Sequence, residues 1–158
     1  MAVMFRVLLI SLTWVVFQIG SGYVTNRLPT AIFHRSGLLF RTGAWEREGM
    51  IYATLFGIRR WKNRMPEAGA MFRGGFSKAR ISVLSRDGLE RFVAETRRAE
   101  LTHWLPFLLS FSFFAWNPIH VAIWMPLVGL LGNAPFIMIQ RYLRPRLQRL
   151  IDARSEDR

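Results

Sequence analysis

The sequence predicts an all-α integral membrane protein with about three transmembrane helices, a basic cytoplasmic or interfacial middle segment and an amphipathic C-terminal helix. Three observations carry that expectation. Apolar residues make up 51% of the 158 residues and mean hydropathy is positive, which few soluble domains of this size show. The apolar residues are gathered into runs long enough to approach a bilayer's thickness. The formal charge of +12 lies beside those runs, where anionic lipid or an anionic substrate explains it better than nucleic acid does. There is no cysteine, which excludes disulfides, thiolate nucleophiles and thiolate metal sites together.

The length suits a single membrane domain over 1–158. Its first span is expected at 4–22, around "VLLISLTWVVFQI". The competing reading is a secretory signal with Arg6 as its charged start and Gly20–Gly22 as a small-residue site. Trp14 and Gln18 near its end and the lack of a clear cleavage triplet disfavour that reading. Residues 23–100 are mostly polar and hold most of the basic residues. Here "RLP" (27–29) reads as a turn, "WEREGMIYATLFGIRRWK" (45–62) as an amphipathic stretch, "MPEAGAMFRGGFSK" (65–78) as a Pro/Gly loop and "ARISVLS" (79–85) as a short strand.

A helix should start near "SRDGLE", where Asp87 and Glu90 have capping-box spacing, and run toward Pro106. Leu89, Phe92, Val93, Thr96, Glu100 and His103 fall at steps of three and four, on one stripe that the apolar members mark as buried. Residues 101–139 read as a helical hairpin turning at Asn117-Pro118, and 140–158 as a basic tail lying along the membrane surface. The positive-inside rule puts the basic segments in the cytoplasm and the hairpin turn outside, giving a multi-pass protein of the cell (inner) membrane.

Chemistry is expected where the buried stripe enters the apolar run. Glu100 and His103, at i and i+3, are near enough to touch. A carboxylate that fixes the imidazole's tautomer would let it act as a general base toward a hydroxyl. The alternative is a satisfied ion pair or an interfacial anchor beside Trp104. A metal reading of Glu-x-x-His needs two copies and further glutamates, and one copy is present. Arg141 and Arg144, one turn apart in "QRYLRPR", with Arg146 beyond Pro145, suit either a phosphate clamp or a lipid-headgroup anchor. "RRWK" (59–62) has the same two readings. Asn133, inside an apolar span, suits an interhelical hydrogen bond or a substrate contact. No Walker sequence, dinucleotide fingerprint or nucleophile elbow is present.

"ETRRAELTHW" (95–104), followed after a hairpin-sized interval by "NAPFIMIQRYLRPRLQRL" (133–150), resembles the signature of the glycosyl-4,4'-diaponeurosporenoate acyltransferase family, membrane enzymes of staphyloxanthin-type carotenoid biosynthesis. "RLP", "WEREG" and "RRWK" precede these blocks in the family's order, whereas 65–85 matches poorly and nothing is carried over for it. The resemblance implies esterification of a sugar hydroxyl on a glycosylated carotenoid, or a related glycosylated lipid, with a fatty acyl group. The donor would be acyl-CoA or another acyl thioester, with no cofactor.

His103 and Glu100 would then be catalytic. Arg60, Trp61 and Lys62, together with Arg98 and Trp104, would face substrate, as would Asn133, Gln140, Arg141, Tyr142, Arg144 and Arg146. The implied partners are the glycosylated acceptor, the acyl donor and anionic membrane lipid. The His-x-x-x-x-Asp pattern of glycerolipid acyltransferases is absent. The competing class is a non-enzymatic small membrane protein that binds anionic lipid or assists a membrane complex.

Overall fold

The structure, a computed structural model, describes residues 2–34, 37–64 and 85–156; the expected Pro/Gly loop and short strand fall outside them, apart from Ser85. Every regular element among the described residues is helical.

Helix α1 (Ala2–Arg27) is apolar on all sides and mostly exposed. Its hydroxyls turn inward on the helix itself: Ser11 donates to the Val7 carbonyl, Thr13 to Leu9 and Thr25 to Ser21. This is how a helix satisfies polar side chains where water is scarce. Its last carbonyls, left without intrahelical donors, are collected by Arg98, whose Nη1 donates to Thr25, Asn26 and Leu28. The "RLP" turn follows and leads into the short α2 (Ala31–His34).

The expected amphipathic stretch is broken in two. A 3-10 turn (Ala44–Gly49) leads into α3 (Met50–Thr54), and α4 (Ile58–Trp61) follows after Gly57. Arg47, Glu48 and Gly49 are all left-handed, with φ of 45°, 54° and 81°. Tyr52 and Ile58 from these helices pack with Ile139 and Tyr142.

Helix α5 (Arg86–Leu109) begins two positions earlier than the acidic pair suggests. Ser85 is the N-cap, accepting from the Gly88 amide at 3.3 Å, while Glu90 pairs with Arg86. Leu89, Phe92, Val93, Thr96 and Glu100 are buried, as their spacing predicts. The chain turns at Asn117-Pro118, where the Asn117 side chain and amide both donate to the Phe113 carbonyl. It passes through α6 (Ile119–Ala122) into α7 (Trp124–Glu156).

The tail is helical and continues α7 without a break: Leu147 and Ile151 bury against Leu89, Phe92 and Val93 of α5, and that apolar stripe keeps the helix going past Pro145. Among the described residues, two segments are long and apolar enough to cross a bilayer, Val3–Arg27 and Ile119–Ser155; the stretch expected as a third span passes from α5 into a 3-10 turn (Ser110–Ala115). Large apolar side chains cover the exterior of α1, of 108–116 and of 119–131, an arrangement that points to membrane association.

Candidate active site

The functional residues gather where α5 and α7 pack together beneath the 3-10 turn at 44–49. Glu46 and Glu100 are both fully buried, and a buried carboxylate needs partners for each oxygen. Arg141 supplies both residues: its Nε donates to Glu100 Oε1 at 2.7 Å and its Nη1 to Glu46 Oε1 at 2.7 Å, while Nη2 reaches the Leu39 carbonyl. Arg144 completes Glu100, donating from Nη2 to Oε2 at 2.5 Å, and holds Thr96 and the Phe40 carbonyl as well. Trp104 adds an indole N–H to Glu100 Oε1. Glu46 also accepts from the Gly43 amide and the Tyr52 hydroxyl.

Burial, then the hydrogen bond to Glu46 and that carboxylate's charge, push the Tyr52 hydroxyl well above the ordinary tyrosine value. The turn at 47–49 lets this happen. Gly49 lies against the backbone of α7, where a Cβ would come within 3.1 Å of the Arg141 carbonyl and of the Tyr142 Cα. Pro145, four residues beyond Arg141, has no N–H to offer that carbonyl.

The expected pairing of Glu100 with His103 is not made. Both Glu100 oxygens are taken by arginine and tryptophan donors. His103 instead places Nδ1 3.0 Å from Asn133 Oδ1. The Asn133 amide is oriented by its own Nδ2, which donates to the Gly129 carbonyl at 2.8 Å. Oxygen therefore faces the imidazole, the proton belongs on Nδ1, and in the neutral ring Nε2 keeps its lone pair. Phe136 stacks on the imidazole, centroids 4.4 Å apart and 11° from parallel. Asn133, a buried polar residue in an apolar helix, thus does for the histidine what the sequence reading gives to Glu100.

The structure distributes the other predicted substrate contacts. Arg98 is committed to the end of α1 and to Thr30. Tyr142 is buried against α3 and α4, and Trp61 donates to the Phe56 carbonyl beside it. Gln140 is half-buried and Arg60 exposed. Lys62 bonds Asn63. Arg146 donates to the Tyr142 carbonyl and lies over that ring at 3.5 Å. Where a phosphate clamp was expected, Arg141 and Arg144 each donate from all three guanidinium nitrogens inside the protein. Glu46 escaped the residue-by-residue reading because its partner lies 95 positions away, where no local spacing can signal it.

No solved structure matches the chain. A glycosyl-4,4'-diaponeurosporenoate acyltransferase from Staphylococcus aureus (strain bovine RF122 / ET3-1) is 28% identical over 141 residues, covering 89% of this chain and 85% of that protein. Those of strains MRSA252 and USA300 are 28% and 27% identical over the same shares. The family model described as glycosyl-4,4'-diaponeurosporenoate acyltransferase matches residues 29–153, which include Glu46, Glu100, His103, Asn133, Arg141 and Arg144. With most of its length matched, the chain belongs to the glycosyl-4,4'-diaponeurosporenoate acyltransferase family.

Proposed function

We propose that the protein is a membrane acyltransferase that esterifies a sugar hydroxyl of a glycosylated carotenoid, or a related glycosylated lipid, with a fatty acyl group from a thioester. The observation that carries this reading is the His103–Asn133 pair, a histidine with its tautomer set and its distal nitrogen available, held beside an apolar exterior.

His103 Nε2 takes the proton of the sugar hydroxyl as the oxygen attacks the thioester carbonyl carbon. Collapse of the tetrahedral species breaks the carbon–sulfur bond. The proton on Nε2 passes to the departing sulfur, so an ester and a free thiol leave and the histidine is restored. Asn133 keeps the ring in register throughout. Glu100 acts at one remove, holding Arg141 and Arg144 and with them the α5–α7 contact. Arg60, Lys62 and Arg146 remain suited to the anionic part of the donor or to lipid headgroups. The chain crosses the cell membrane with α1 and with the hairpin 101–139, its basic segments facing the cytoplasm.

The test is expression of the wild type and His103→Ala in a host that makes a glycosylated carotenoid, at equal membrane levels, with the acylated product read by mass spectrometry. Ester from the wild type and a loss of about 100-fold or more in the variant are expected. Equal product from both would remove His103 as the base. Product from neither would replace the enzyme reading by the lipid-binding alternative.

A further inference from the structure

An apolar groove of about 450 Å³ lies between α1 and α7, lined by Trp14, Val15, Gln18 and Ile19 on one side and Val128 and Gly132 on the other. Gly132 contributes no side chain to it. A Cβ at Gly132 would meet nothing within 4 Å, so the space beside it is open. One turn further along α7, on the stripe that Val128 and Gly132 begin, comes Phe136, the ring stacked on His103. Along this helix the order is therefore apolar groove, histidine, arginine cluster. The groove's lining on α7 ends at Gly132, one turn, or roughly 6 Å along the helix, before Phe136.

We infer that this groove holds the fatty acyl chain of the donor, so that Gly132 sets which chain lengths are transferred. This rests on the acyl-transfer reading above. The occupant follows from connectivity. In a thioester the first methylene is one bond from the carbonyl carbon under attack, so an apolar groove that ends one turn from the ring stacked on the base fits a chain that starts at the reacting carbon. In the acceptor a sugar stands between the polyene and the reacting hydroxyl. A polyene groove would call for polar, sugar-sized surroundings between groove and histidine, whereas the residue that follows Gly132 on that stripe and stacks on His103 is the apolar Phe136. A flexible saturated chain can also bend to a groove this short.

The experiment gives membranes containing the full-length wild type, Gly132→Leu or Val15→Trp a glycosylated carotenoid and an equimolar mixture of short and long saturated acyl-CoAs, and compares the esters by mass spectrometry. Gly132→Leu is expected to shift the ratio of short-chain to long-chain ester about tenfold or more toward short. Val15→Trp, which narrows the groove from α1, should shift it the same way and decides the matter if Gly132→Leu fails to accumulate. An unchanged ratio in an active variant overturns the inference. So does a variant whose preference among acceptors changes while the acyl ratio does not, since the groove would then hold the polyene. A wild type that makes no ester from any donor sinks the acyl-transfer reading itself, an outcome distinct from an unaltered ratio.

Discussion

Glu100 is held on both carboxylate oxygens by arginines of α7, Arg141 on Oε1 and Arg144 on Oε2. Its burial was legible, because it continues a helical stripe of apolar residues. Its partners were not, because they lie 41 and 44 positions away on another helix. Glu100→Gln leaves Arg144 without its carboxylate and Arg141 with Glu46 alone, and is expected to cost about 3–5 kcal/mol. The check is the thermal midpoint in detergent, with activity following the folded fraction.

Asn133→Ala should behave differently, keeping the folded fraction while kcat falls about tenfold or more through loss of the set tautomer. Tyr52 supplies a pH prediction. Its pKa is raised on folding, so its contribution to stability is intact below the unfolded value of about 10 and is lost as pH climbs above it. Tyr52→Phe should lower stability at neutral pH by about 1–3 kcal/mol, for the orphaned Glu46 oxygen, and should flatten the alkaline limb of a pH–stability curve.

Among the elements, the break at 47–49 is the feature that pattern reading passed over. The residues around it alternate apolar and charged as an amphipathic helix would, and two of the three left-handed positions are not glycine. The strain is tolerated because the turn delivers Glu46 to Arg141 and seats Gly49 on α7. Arg47→Gly should therefore stabilise the protein by about 1 kcal/mol, and Gly49→Ala should destabilise it by more than that, since the new Cβ meets both an unfavourable φ and a backbone carbonyl. Chemical denaturation of the two variants separates these opposite signs. The unbroken length of α7 was hidden for another reason. Pro145 and a basic tail look like an exit from the helix, and only the α5 face that receives Leu147 and Ile151 explains why it continues.

For the molecule as a whole, the all-helical class and the turn at Asn117-Pro118 were legible from hydropathy and breakers. The docking of α1 was not. It depends on Gly129, where a Cβ would stand 2.9 Å from the Trp14 ring, 3.2 Å from Ser110 Oγ and 3.3 Å from the Phe107 Cα. Gly129→Val should separate α1 from α5 and α7 and lower the midpoint of unfolding, which a tryptophan emission shift at Trp14 would report.

The arginines that close the buried cluster also set an order of assembly. Both carboxylates, at 46 and 100, leave the ribosome before residues 141 and 144, so the nascent chain carries two charges it cannot yet neutralise. Those carboxylates must stay hydrated at the membrane's edge until α7 arrives, and packing of α5 becomes the last event of biogenesis rather than an early one. A chain stalled just short of Arg141 should stay accessible to protease, while the released chain, with Arg141 and Arg144 paired and Ile151 packed on α5, should lock.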